Sequence, residues 1–142
     1  GEFDNGQGEL ADAAAALDWL ERENFDNSQC WIAGFSFGSL IAMQLLMRRP
    51  EINGFVCISP PANIRDFGFL APCPSSGLIV HGDKDTVASY DSTKILSEKL
   101  QKQKKVEILF KPVKGADHFY ENYKEEFSQI IDDYIKEKLS EK

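Results

Sequence analysis

Apolar and polar positions along this chain fall into blocks that read as four short strands and four helices. A polar, glycine-rich opening from Gly1 to Gly8 reads as a loop. From Glu9 to about Glu23, Leu10, Ala13, Ala14, Leu17 and Leu20 recur at helical spacing, which predicts an amphipathic helix. Asn24 to Gln29 reads as a turn. The apolar run Cys30 to Phe35 predicts a buried strand, and Leu40 to Met47, rich in Leu, Met and Ala, predicts a buried helix. Arg48 and Arg49 suit the negative end of that helix, and Pro50 stops it.

Gly54 to Ser59 reads as a second buried strand, ended by Pro60 and Pro61. Residues 62 to 76 are apolar but irregular. Gly77 to His81 is a third strand, Ser89 to about Lys104 a helix with Ile95, Leu96 and Leu100 inward, and Val106 to Phe110 a fourth strand. The last helix, from about Tyr120 to Leu139, sets Tyr123, Phe127, Ile130, Ile131, Tyr134 and Ile135 on one face. Its glutamates gather near the start and its lysines near the end, as the helix dipole prefers. Strands alternating with helices imply parallel pairing: an α/β fold, one domain over residues 1 to 142, with a mostly parallel sheet and helices on both faces.

Between the first strand and its helix lies G-F-S-F-G, Gly34 to Gly38. Three fixed positions of this kind arise by chance in roughly 5% of chains this long, so the weight comes from placement. A strand that turns into a helix in so few residues strains the backbone. Gly34 and Gly38 are expected to remove side chains that would clash there, and Ser36 is left exposed above the sheet's carboxyl edge, a nucleophile elbow.

The charge balance narrows the partners. A formal net charge of −7 argues against nucleic acid or an anionic membrane surface. No apolar stretch approaches the length of a membrane span. The cysteines Cys30, Cys57 and Cys73 lack metal-ligand spacing, and Cys30 and Cys57 lie in apolar runs as buried thiols. A reducing cytoplasm is the default expectation, and no metal or organic cofactor is implied.

In parallel sheets the working groups gather at the carboxyl ends of the strands. Ser36 follows the first strand, Asp83 and Asp85 the third, and His118, in G-A-D-H-F, the fourth. A serine, a carboxylate and an imidazole therefore reach one sheet edge from separate loops, in the order Ser, Asp, His. At this point either aspartate fits.

Three motifs together, G-F-S-F-G at 34–38, H-G-D-K-D-T-V at 81–87 and G-A-D-H-F at 115–119, resemble the carboxyl-terminal part of a small α/β-hydrolase of the esterase and dienelactone-hydrolase-like kind. Dienelactone hydrolases proper use a cysteine nucleophile, so Ser36 points to the wider esterase-like group. The resemblance implies Ser36 as nucleophile and His118 as base. Its G-x-x-D pattern, counted from Gly82, puts the orienting acid at Asp85. It also implies a backbone N–H of Phe37 as one half of an oxyanion hole. His81, the only other imidazole, reads as a satisfied structural histidine. Phe67, Phe69 and Leu70 fit either an acyl pocket or the core.

The family's earlier strands have no counterpart here, which implies a domain cut down to about its last four strands. The elbow strand would then be an edge, a template for a second copy of the chain or for a preceding segment. The reading that follows is a serine hydrolase acting on an ester-like bond of a small-molecule acyl substrate. The alternative is a non-catalytic module that keeps the fold for a structural or interaction role. Substrate identity, and esterase against thioesterase, perhydrolase or lyase chemistry, lie beyond the sequence.

Overall fold

The computed structural model describes residues 2–24 and 29–140. The elements run α1 (Gln7–Glu23), β1 (Trp31–Phe35), α2 (Phe37–Arg48), β2 (Gly54–Ile58), β3 (Gly77–Gly82), α3 (Tyr90–Gln101), β4 (Ile108–Val113) and α4 (Lys124–Ser140), with a short 3₁₀ turn at Gly68–Leu70. The four strands form one parallel sheet in the order β1-β2-β3-β4. The predicted turn over 24–29 lies largely outside the described residues.

Alternation along the central strands explains the two cores. Phe55 and Cys57 of β2 and Ile79 of β3 face one side, where α1, α2 and α3 supply Leu10, Leu17, Leu40, Met43, Leu46, Leu96 and Leu100. Val56, Leu78 and Val80 face the other, under α4 with Tyr134. Met43, Phe55, Leu78 and Leu100 are fully buried, and burial of such a side chain stabilises the fold by about 1.5–3 kcal/mol each. Phe67 and Leu70 belong to the first core, so packing accounts for two of the three residues that also fitted an acyl pocket. Arg49 ties the end of α2 to α1, with Nη2 2.8 Å from Asp18 and 2.7 Å from Glu21.

Several expectations shift. The first strand is half-exposed rather than buried: Ala33 and Phe35 are exposed, because β1 is an edge and no helix covers its outer end. Ile95 points to solvent, since the buried stripe of α3 runs through Thr93, Leu96, Ser97 and Leu100 and leaves Ile95 on the opposite side. The loop expected after β4 starts later, because Lys111 and Pro112 continue the strand. Proline is tolerated there because β4 is the other edge of the sheet. The last helix begins at Lys124 because Tyr120 (φ 57°) and Asn122 (φ 66°) adopt left-handed backbone that no helix admits.

Candidate active site

The elbow is built as a strained corner. Ser36 has φ 55° and ψ −121° between β1 and α2, a conformation that costs about 1–3 kcal/mol and persists only when its surroundings enforce it. Its carbonyl accepts the Ser39 N–H at 3.0 Å and the Ser39 hydroxyl as well, and its own N–H continues the β1–β2 pairing to Ile58 O at 2.9 Å. A Cβ on Gly34 would run into the Gly38 carbonyl and lie 2.7 Å from Ser39 Cα. At Gly38 an added Cβ meets nothing within 4 Å. The glycine requirement therefore sits at Gly34 alone, a correction to the paired role expected for the two.

Ser36 Oγ lies 2.9 Å from His118 Nε2, and His118 Nδ1 lies 2.7 Å from Asp85 Oδ2. These contacts join loops that follow β1, β3 and β4. The Asp85 side chain is fully buried and surrounded by donors. Its Oδ1 accepts the N–H groups of Val87 and Ala88, each at 2.8 Å, and its Oδ2 faces two imidazoles. An ionised carboxylate with this many donors stays oriented and needs no further partner. Asp83, the other candidate, turns elsewhere: its Oδ1 accepts the Gly115 N–H at 2.6 Å and braces the β3 loop to the β4 loop.

The histidine loop comes close because Gly82 gives it room. A Cβ there would meet the Ala116 carbonyl oxygen, and would lie 2.8 Å from both the Ala116 carbonyl carbon and the Asp117 oxygen. Beneath the loop, Tyr120 is buried, with its hydroxyl 2.8 Å from Ser59 Oγ and 3.3 Å from Val80 O. Burial raises the Tyr120 phenol well above its ordinary value, so it remains a neutral brace. Nothing in the sequence pattern singled out Ser59 or Tyr120. Ser59 also carries a positive φ of 49° at the end of β2, a strain visible only in the folded chain.

Phe37 opens α2, so its N–H is one of the first four that lack an intrahelical acceptor. Its ring is held edge-on by Phe3 at 5.2 Å and lies under the Arg65 guanidinium at 5.4 Å. The His118 ring sits beside Phe35 at 5.1 Å and Phe119 at 5.0 Å. These aromatics exclude water from the imidazole and leave an apolar rim, since Phe35 and Phe119 are themselves exposed. Among the described residues no cluster of three or more His, Cys, Asp or Glu side chains could hold a metal ion.

His81 differs from its expected role as a satisfied core residue. It is buried, its Nε2 touches Asp85 Oδ2 at 3.1 Å and Ala88 O at 3.0 Å, and its Nδ1 has no hydrogen-bond partner among the described residues. Its place four residues before Asp85 was the one available signal.

Known proteins share this architecture. The crystal structure of a protein of unknown function from Agrobacterium tumefaciens superposes with a TM-score of 0.95 at 51% identity, covering 99% of this chain and 64% of that one. An alpha-beta serine hydrolase homologue from Coxiella burnetii matches with a TM-score of 0.79 at 30% identity, over 92% of this chain and 60% of that one. An uncharacterized protein of Rickettsia prowazekii (strain Madrid E) is 52% identical over 139 residues, 95% of this chain and 58% of its own length. The chain thus spans less than two thirds of these relatives. A family model described as the alpha/beta hydrolase fold matches residues 4–77, just over half of the sequence. With this match and the parallel sheet on the page, the chain belongs to the alpha/beta hydrolase fold family.

Proposed function

We propose that this chain carries the catalytic centre of a serine hydrolase that cleaves an ester-like acyl bond, with Ser36 as nucleophile, His118 as base and Asp85 as orienting acid. The observation that carries the reading is the continuous hydrogen-bond chain from Ser36 Oγ through His118 to Asp85 Oδ2. With Nδ1–H donated to the carboxylate, Nε2 of His118 presents its lone pair to the serine hydroxyl. Ser36 Oγ attacks the substrate carbonyl carbon while its proton passes to Nε2, and Asp85 stabilises the imidazolium. The carbonyl oxygen takes the charge, and the Phe37 N–H donates to it. Collapse expels the alcohol, which takes the proton from His118. A water molecule, deprotonated by the same imidazole, then releases the acid and restores Ser36.

The exposed rims of Phe35 and Phe119 support a small neutral acyl substrate. Three free cysteines support a reducing compartment such as the cytoplasm. Among the described residues no helix is long and apolar enough to cross a membrane.

A fluorophosphonate probe read by intact mass tests the proposal. The wild-type chain is expected to gain one adduct and Ser36→Ala none. Labelling of both would place the reactive group elsewhere. An inert wild type would favour the non-catalytic module.

A further inference from the structure

Two imidazoles meet one carboxylate at the end of β3, and only one of them touches the serine. The second, His81, has its Nε2 3.0 Å from the Ala88 carbonyl oxygen and 3.1 Å from Asp85 Oδ2. A carbonyl oxygen only accepts, so the ring hydrogen sits on Nε2 and is donated to Ala88 O, with Asp85 Oδ2 in contact beside it. That tautomer leaves a lone pair on Nδ1, which is buried without a hydrogen-bond partner among the described residues. A second proton on Nδ1 would find no acceptor, and burial pushes the ring further towards its neutral form.

We propose that His81 is a positioning residue whose neutral Nε2–H holds Asp85 Oδ2 in line with His118 Nδ1. It rests on the serine hydrolase reading above. The division of donors gives the reason. Val87 and Ala88 grip Oδ1, and among the described residues His118 and His81 are the groups that reach Oδ2. Without His81, Oδ2 would be tied solely to the imidazole that it has to orient. Neutrality matters as much as the bond. A cation beside Asp85 would cancel part of the charge that stabilises the His118 imidazolium. The groups facing the His81 ring are Asp85, His118 and, edge-on at 6.0 Å, Tyr90 of α3.

Glutamine at position 81 offers a neutral N–H near the same place, and leucine fills much of the volume without a donor. With p-nitrophenyl acetate, His81→Leu is expected to lower kcat about ten- to a hundred-fold, the worth of a hydrogen bond to a charged group. KM should not change. His81→Gln should restore kcat to within a few-fold of wild type and leave the acid limb of the kcat/KM profile where it was. Ring ¹⁵N NMR should find His81 protonated at Nε2 alone at neutral pH. An unchanged kcat in His81→Leu, equal losses in both variants, an effect confined to KM, or a proton on Nδ1 would each overturn the assignment. An inert wild type would overturn the hydrolase reading and this role with it, whereas an active wild type with an indifferent His81→Leu overturns this role alone.

Discussion

Apart from Asn5 before α1, the non-glycine residues with positive φ among those described lie at or near the candidate site. Ser36, Ser59 and Tyr120, each with positive φ and none a glycine, lie just beyond the carboxyl ends of β1 and β2 or in the loop after β4. Such conformations survive only where close packing leaves no alternative, and Gly34 is the closest-packed point of the elbow. Gly34→Ala should therefore force the Gly38 carbonyl outward, destabilise the fold by about 1–3 kcal/mol and suppress probe labelling of Ser36. Gly38→Ala, with open space at its Cβ, should leave both nearly unchanged. Denaturant titration of the two variants, run beside the labelling rate, checks the contrast. The G-x-S-x-G spacing puts Ser36 between a strand and a helix, as the structure has it, but it does not tell which glycine the corner needs, because that depends on a carbonyl four residues away along the chain.

At the scale of elements, the sequence was most legible where burial decided the pattern and least where a boundary turned on one backbone angle. The central strands β2 and β3 lie within a residue of their expected limits because both faces are covered. The start of α4 was misplaced by four residues, since Tyr120 is apolar at a helical spacing yet is spent on the Ser59 contact beneath the histidine loop. Helix α3 was read one residue early for a visible reason: Ser89 is its cap, and its side chain accepts the Ser92 N–H at 3.1 Å. Ser89→Ala is expected to cost about 1 kcal/mol in the unfolding free energy, measured by denaturant. A loss well below that would mean that neighbouring contacts, such as the Asn63 side chain on the Ser89 N–H, hold the helix start without the cap.

For the molecule as a whole, the order β1-β2-β3-β4 leaves the strand that bears the elbow with a neighbour on one side only. Its apolar sequence foretold a buried strand. The exposed Ala33 and Phe35 measure the difference between that pattern and this sheet. An open, apolar edge invites pairing, so this chain is expected to associate with itself through β1. Ala33→Lys should shift it to the monomer in sedimentation velocity, and a wild type that is monomeric at every concentration would refute this. The hydrogen-bond chain from Ser36 to Asp85 spans positions 82 and 33 residues apart in sequence. No single segment of backbone holds these three side chains together; the spacing of β1, β3 and β4 does, with the Asp83 and Tyr120 braces between their loops. The serine is thus wired to the sheet like the needle of a strain gauge. A small splaying of the strands, far short of unfolding, would move the needle first, and the reactivity of Ser36 would fade while the helices and both cores still appeared intact.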